Sequence, residues 1–513
     1  MPNSTNSRRR GGRSARMAHR KETEKIQPPR FMSRNIPCYE LLCEEELVRI
    51  EEHADWILQE VGIEFWGDEE AIALFKDAGA SVDGNRVHFD KGLAKSLCAT
   101  APKEFDMLAR NPDRSTIFGG NRLIFAPAYG PPFVYDLKDG RRQGTIEDFQ
   151  NFVKLTYMTP WLHHQSGTIC EPTDIAVNKR HLDMIYAHLK YSDKPFMGSV
   201  TAPSRAEDSI AMAKIVFGEE VMQNNCVIQG NINVNSPLVY DDVMSGALKA
   251  YARANQGVVI SPFILGGAMS PVTMPGAIAQ AHAETLVGIA LTQLVRKGAP
   301  VVYGNFLTTM DLKSGAPTFG TPESTLAGMA VGQLARRLGL PFRCGGHYTA
   351  SKVADAQAMQ ESADSMLSGF LGGANFILHS AGWLEGGLVM SYEKFILDSD
   401  RLGMLHRTAQ GLTIDDNSLA TTAYIENSPG QNFLGTEHTS QNFETANFRP
   451  EMPDNNSFEQ WSEDGSKDAE QRAYERWNKM LAEYQPPELD PSTDEALVDF
   501  IRQKKDSMAD EWY

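Results

Sequence analysis

The sequence predicts an α/β fold: a TIM (β/α)8 barrel with an N-terminal helical cap and a C-terminal helical extension. Three observations lead there. Between Leu162 and Ser380, seven short β-rich runs alternate with longer amphipathic runs, the signature of parallel βαβ units. No GxGxxG follows the first run, which disfavours a doubly wound dinucleotide fold. The 513 residues accommodate one barrel of ~250 residues with pieces at both ends.

Taken in order, residues 1–30 form a basic tail, SRRRGGRSAR, with few apolar side chains, expected to be disordered. Residues 31–115 read as an N-terminal helical region. Leu41, Leu42, Leu47, Ile50, His53, Ala54 and Ile57 recur at helical spacing, and Glu69 to Ala78 repeats the pattern. Residues 116–440 are the barrel. Arg122 to Asp136 resembles a strand pair entering it, rich in turn formers and β-prone residues. The strand candidates are Leu162 to Ile169, Pro195 to Thr201, Cys226 to Val234, Gly257 to Phe263, Ala299 to Phe306, Pro341 to His347 and Ala374 to Ser380. Between them lie the helix candidates Asn178 to Lys190, Ala206 to Phe217, Asp241 to Ala254, Gly276 to Arg296, Glu323 to Leu338 and Val353 to Leu371. The eighth strand comes either from the Ile124 region or from beyond Tyr392. Residues 441–513 are the C-terminal extension, with helices over Ala469 to Glu483 and Glu495 to Lys504 expected to pack on the outside.

Composition narrows the function classes. Hydrophobic residues are 42% and charged residues 22%, as in soluble globular proteins. Net charge is -17, although the first 25 residues carry eight Lys/Arg against two Glu. An acidic body repels phosphate, so nucleic acid is not an expected partner. No run of ~18 apolar residues is present to span a membrane. The six cysteines are dispersed without a CxxC, which points to free thiols and a cytoplasmic protein.

Barrel chemistry sits at the C-terminal strand ends. Here these carry Gln165, Ser166, Ser199, Thr201, Gln229, Asn231, Asn233, Ser261, Phe263, Tyr303, Asn305, Phe306, His347, Tyr348, His379 and Ser380. They are polar, uncharged and partly aromatic; the nearest carboxylates are Asp311 and Glu323. There is no GxSxG elbow, no carboxylate pair and no Walker loop. Cys344 and His347 stand at CxxH spacing, with Cys226 and His379 on other strands, so zinc is an alternative. Alternation along a strand, however, sends Cys344 and His347 to opposite faces, and no metal site is expected. Tyr303, Tyr348, Phe263 and Phe306 suit a quaternary ammonium through cation–π attraction. Strand parity puts Tyr303 and Asn305 on one face, so Tyr303 ranks first for the cation and Tyr348 second. His347, helped by Gln229, Asn231, Asn233 or Asn305, is the expected donor to a ligand carboxylate. Asn305 and Glu323 are expected to orient the substrate. For each aromatic side chain, packing in a barrel layer is the plain alternative.

Four long segments carry a resemblance: GGAMSPVTMPGAIAQAHAETLVG from Gly266, SGAPTFGTPE from Ser314, GGHYTASKVADAQAMQES from Gly345 and GWLEGGLVMSYEKFILD from Gly382. With RRRGGR near the N-terminus and NFLGTEHTSQNF from Asn432, they resemble the trimethylamine methyltransferase family over nearly the whole chain. The resemblance implies a TIM barrel that passes a methyl group to the cobalt of a separate corrinoid protein. The trimethylamine enzymes of the family carry pyrrolysine near the sixth strand; here Gly345, Gly346 and His347 occupy that neighbourhood. The expected substrate is therefore a quaternary amine such as glycine betaine or a related betaine. The chain has no DxHxxG cobalamin motif, so the corrinoid is expected on a partner and none on this chain. A homo-oligomer is expected. A zinc-dependent cobalamin-linked methyltransferase, another barrel lyase, and a protein that binds quaternary amines without turnover are the alternatives.

Overall fold

The computed structural model describes residues 29–512, so the basic tail expected over residues 1–30 lies outside the described residues except for its last two. Seven parallel strands form the centre: β1 (Arg122–Phe125), β2 (Phe196–Met197), β3 (Ile228–Val234), β4 (Gly257–Gly266), β5 (Val301–Gly304), β6 (Phe342–Gly345) and β7 (Phe376–Leu378). They are hydrogen-bonded in the order β1-β7-β6-β5-β4-β3-β2, giving a mixed α/β fold around a curled sheet. The connecting helices are α1 (Ile146–Met158), α2 (Arg180–Tyr191), α3 (Pro203–Phe217), α4 (Asp242–Arg253), α5 (Met274–Val295), α6 (Pro322–Leu338), α7 (Ala356–Gly372) and α8 (Tyr392–Ala409).

Local sequence sets the boundaries. Thr145 and Asp148 form a capping box on α1, and Asp241, Asp355 and Ser391 cap α4, α7 and α8 through their side chains. Proline occupies the first turn of α3, α5 and α6, where a missing N–H costs nothing. Gly339 ends α6 in the left-handed conformation that favours glycine.

Alternation along the strands sorts side chains into two layers. Ile124, Ala126, Met197, Val259, Val302, Phe376 and Leu378 meet inside the curl. Leu123, Phe125, Ile228, Ile260, Tyr303, Phe342, Cys344 and Ile377 face the helices in the larger core.

The two ends of the seven-strand path, β1 and β2, both bond to residues 163–166. His163 N and His164 N donate to Phe125 O (3.0 and 3.2 Å); Gln165 N donates to Pro195 O and Met197 N to Ser166 O (both 2.8 Å). The stretch expected as a full strand over Leu162 to Ile169 is thus a short bridge, ended at Ser166 by φ 64°. Lys194 secures its start by donating to the carbonyls of Thr156, Thr159 and Leu162 at 2.7–2.8 Å. Of the two sources considered for a further strand, the Ile124 region supplies one, as β1.

Two expectations are corrected. Arg122 to Asp136 is not a strand pair: β1 pairs with β7, whereas Phe133–Asp136 pairs with Gly140–Gln143 and Val389–Ser391. The N-terminal region is not purely helical. Besides helices Glu44–Trp56, Glu69–Asp77 and Leu93–Leu97, it carries Ile63–Trp66, Ser81–Asp83 and Arg86–His88. These join Val239–Asp241, from between β3 and α4, in a four-stranded sheet. Glu44–Trp56, Glu69–Asp77 and Leu93–Leu97 also cover α5, in which every residue from Ala277 to Gln293 is buried.

At the other end of the chain, Ala469–Glu483 packs on α8 and α1, with Trp477 Nε1 donating to Glu393 (2.9 Å), and Pro491–Asp506 packs on α2 and α3. Among the described residues no helix is long and apolar enough to cross a membrane.

Candidate active site at the strand ends

Six rings converge at the C-terminal ends of β4 to β7: Phe263, Phe306, Phe319, Tyr348, His379 and Trp383. Phe306 lies 4.9 Å from Phe263, 5.0 Å from Tyr348 and 6.1 Å from Trp383, centroid to centroid. Trp383 lies 4.5 Å from His379 and 4.9 Å from Tyr348, and Phe319 is 5.2 Å from Tyr348. The rings touch one another.

Backbone geometry builds this cluster. Phe306 opens a short strand, Phe306–Met310, that runs parallel to the end of β4 and puts Phe306 opposite Phe263. That strand turns back through Pro317–Thr318, which delivers Phe319. A Cβ on Gly345 would fall 1.9 Å from the Tyr348 ring, so the ring occupies the space a side chain at 345 would need. His379 holds φ 61°, uncommon outside glycine, at the end of β7. Its Nδ1 accepts from Tyr129 N at 3.2 Å. The Tyr348 hydroxyl and Trp383 Nε1 are buried without a partner.

Beneath the rings lies a polar layer. Arg343, on β6, is 1% exposed. Its Nη1 donates to Ser261 Oγ (3.1 Å) and to Asn305 O (2.6 Å), and its Cζ lies 5.7 Å from the Phe306 centroid. Arg343 forms no ion pair among the described residues, and its Nε lacks an acceptor. Pairing of β3 with β4 puts Asn231 opposite Val259 and Asn233 opposite Ser261, so Gln229, Asn231 and Asn233 share the inner face. Asn231 Nδ2 donates to Asn233 Oδ1 (3.3 Å), and the Gln229 amide meets His164 Nε2 (3.4 Å). Ser166 N donates to His164 Nδ1 (2.9 Å), so the imidazole proton sits on Nε2. Gln229 Nε2 faces that N–H, and two donors cannot pair; a flipped amide would let the Gln229 oxygen accept from His164 Nε2.

The geometry corrects four sequence expectations. Tyr303 is not at the mouth. It pairs with Phe342 on the helix-facing side, and its hydroxyl lies 2.8 Å from His282 Nδ1 in α5. The Asn305 amide, on the same side, lies beside the Cys344 thiol, and only its carbonyl reaches Arg343. His347 is fully buried with Nδ1 2.6 Å from Ser380 O. Burial holds it neutral, so Nδ1 keeps the proton and Nε2 is left as an acceptor, unable to donate to a carboxylate. Glu323 is exposed in the first turn of α6, where the helix N-terminus favours a carboxylate.

Sequence reasoning missed Arg343, Phe319 and Trp383, and weighed His379 only as an alternative zinc ligand. Arg343 had a readable signal, a charge between apolar residues inside a strand run. Phe319 and Trp383 lie in loops whose path only the fold fixes.

Among the described residues no three His, Cys, Asp or Glu side chains converge as metal ligands. Cys344 Sγ lies 3.6 Å from Ser368 Oγ on the helix side, whereas His347 turns to Ser380.

The family model described as trimethylamine methyltransferase (MTTB) matches residues 9–509. A glycine betaine methyltransferase of Desulfitobacterium hafniense is 40% identical over 94% of this chain and 100% of its own length. A trimethylamine methyltransferase MttB of the same species is 27% identical over 90% of this chain and 93% of its own. A proline betaine:corrinoid methyltransferase of Eubacterium limosum is 30% identical over 72% of this chain and 77% of its own. With a family match over residues 9–509 and relatives such as these named methyltransferases, this chain belongs to the trimethylamine methyltransferase family and is a corrinoid-dependent methyltransferase.

Proposed function

We propose that this protein transfers a methyl group from a betaine, such as glycine betaine, to Co(I) of a corrinoid carried by a separate protein. The observation that carries the reading is the cluster of six rings at the strand ends. A quaternary ammonium has no N–H to donate, so aromatic faces are its natural grip. Transfer breaks one N–CH3 bond; the electron pair stays on nitrogen, the amine leaves neutral, and the methyl appears on cobalt as methyl-Co(III). No general acid is needed, which fits a site without a carboxylate. The chain's own part is to orient the ligand and exclude water, effects that lower a barrier by ~7–11 kcal/mol in favourable cases. The betaine assignment draws support from the 40% identical glycine betaine enzyme and the proline betaine relative. It draws support also from Tyr348, whose ring fills the space over Gly345 in the neighbourhood where the resemblance places pyrrolysine.

We propose too that the sheet closes as an eight-stranded barrel with residues 163–166 as the eighth member. The support is the four backbone bonds these residues make to Phe125, Pro195 and Met197.

The test is a methyl-transfer assay with the partner corrinoid protein reduced to Co(I), read by its spectrum. Betaines are expected to be demethylated and trimethylamine is not; brisk turnover of trimethylamine overturns the reading. A second expectation concerns the rings. Trp383→Leu is expected to weaken betaine binding more than tenfold, since a desolvated cation–π contact is worth about 2 kcal/mol. A neutral isostere with carbon in place of nitrogen should lose much less. Tyr303→Phe, on the far side of β5, should leave both affinities unchanged. Equal losses for cation and isostere in Trp383→Leu would mean that the ring only packs.

A further inference from the structure

We propose that residues 411–447 form an arm by which this chain joins a second copy of itself, base to base, at the end of the sheet opposite the ring cluster. The arm leaves and returns at that end. Helix α8 starts beside Trp383, since Met390, just before it, pairs with Trp383. It ends where Ala409 O accepts from Asn35 N (2.7 Å). Met32 and Ser33, shortly before Asn35, pair with Leu123 and Arg122 at the start of β1. Arg34 Nη2 donates to Ala374 O (2.7 Å), just before β7. The chain comes back at Phe448, whose ring lies 5.9 Å from Trp161. Glu451 N and Met452 N then donate to Asp400 in α8 (2.9 and 3.1 Å).

Between these anchors the arm holds itself together and turns its apolar side chains outward. Asn417 Nδ2 donates to Asn442 Oδ1 (2.8 Å), His438 Nε2 lies 2.8 Å from Asn417 O, and Tyr424 meets Phe433 edge-on at 5.2 Å. Among the described residues, none from 412 to 442 forms a hydrogen bond or ion pair outside the arm. Ala423 is its one buried apolar side chain. Leu412, Ile425 and Leu434 are 88%, 80% and 82% exposed, and Ile414, Tyr424 and Phe443 are more than half exposed. At about 200 Å² for a fully exposed large side chain, these six leave roughly 900 Å² uncovered. The largest apolar patch on a typical monomer is ~300–600 Å², and a stable interface takes ~800 Å² from each partner. A segment whose polar atoms pair internally while its large apolar groups face out is half of an interface. The other half is a second copy rather than the corrinoid protein. Cobalt must approach the rings at the C-terminal strand ends, whereas the arm is rooted at the opposite end. A partner that comes and goes also uses a surface no more apolar than average, whereas permanent homodimers are more apolar. A two-fold pair, the commonest oligomer, buries the arm of each copy and leaves both mouths open to corrinoid proteins.

The experiment is sedimentation equilibrium of the full chain at micromolar concentration, without the corrinoid protein. The parent is expected as a dimer, and Ile425→Asp with Leu434→Asp as a monomer, its dissociation constant raised at least a hundredfold. Both positions are exposed, so the circular dichroism should match the parent's; if the double variant does not fold, Leu412→Asp carries the comparison. Val498→Asp, at an exposed valine of Pro491–Asp506, should stay a dimer. Association stabilises only folded copies, so the parent's unfolding temperature should rise with concentration and the double variant's should not. Methyl transfer per chain, with the corrinoid protein supplied, should stay within twofold in the double variant, because the rings lie at the other end of the strands. A monomeric parent overturns the proposal, as does a double variant with the parent's mass. A larger assembly supports it if the double variant breaks it into smaller ones and overturns it otherwise. Arm amides protected from hydrogen exchange only after the corrinoid protein is added assign the arm to that protein and overturn it too. A monomeric variant that is folded yet loses methyl transfer overturns the base-to-base arrangement.

Discussion

Between pH 6.5 and 4.5 the folded protein is expected to lose stability at up to about 4 kcal/mol per pH unit from three histidines alone. Burial lowers His164 to about 3, and His188 and His282 to about 4. Each is therefore neutral in the fold, whereas in the unfolded chain it takes up a proton below about 6.5. The unfolded state then binds more protons, and the linkage runs one way. The stability is fully present above pH 6.5 and drains away as pH falls, until the folded-state values are reached. A one-unit shift is worth about 1.4 kcal/mol per group, so three groups acting together give the slope. Burial also lowers His163, His347 and His379, which steepens it further. Against a total stability of about 5–15 kcal/mol, a loss of that size is a large fraction of the whole. The measurement is the urea unfolding midpoint at half-unit intervals from pH 7.5 to 4.5. A midpoint that stays level from pH 7 to 5 contradicts neutral burial of these rings.

Asp398→Ala is expected to cost about 3–5 kcal/mol, the usual penalty for breaking a buried ion pair from one side. Lys394 Nζ lies 2.5 and 2.7 Å from the two Asp398 oxygens, with both side chains fully buried, and also donates to Ser362 Oγ (2.9 Å). Without Asp398 the ammonium stays in the core with no counterion. Replacing both together, Lys394→Met with Asp398→Leu, should recover most of the loss, because an apolar pair of similar volume often matches a buried ion pair. Recovery should be incomplete. Asp398 also accepts from Gly382 N (3.0 Å), the residue before Trp383, and that N–H would be left unpaired. Thermal or urea unfolding of the two variants decides the matter. A single variant as stable as its parent would show that the pair contributes nothing.

The sequence made strands β2 to β7 readable because each is a short β-branched or aromatic run bounded by turn residues and followed by a periodic helix. It read Leu162 to Ile169 as a full strand, whereas only residues 163–166 bond to their neighbours, at single points rather than along a ladder. The strands Ile63–Trp66 and Arg86–His88 were hidden for another reason. They are three or four residues long, and Val239–Asp241, which pairs with Ile63–Trp66, lies far along the chain. For the site, the inner face of β3 followed from alternation, hence Gln229, Asn231 and Asn233. Alternation failed at β5, where its phase is set by pairing of Tyr303 with Phe342, a register that no local pattern encodes. Attention to strand ends alone also passed over Arg343, which lies within a strand.

The sheet that joins the N-terminal region to Val239–Asp241, and the cover it lays on α5, have a consequence for synthesis. Ile63–Trp66 leaves the ribosome roughly 175 residues before its parallel partner and about 210 residues before α5 begins. At ~5–20 residues per second, that interval is on the order of 10–40 s. For that time Ile63, Phe65 and Phe75, which end fully buried, have neither the strand nor the helix they pack against. The nascent chain is therefore expected to pass through a stage in which Ile63, Phe65 and Phe75 lack their final cover. The same dependence means that a fragment ending before α5 cannot complete its own N-terminal core, however well its local helices form.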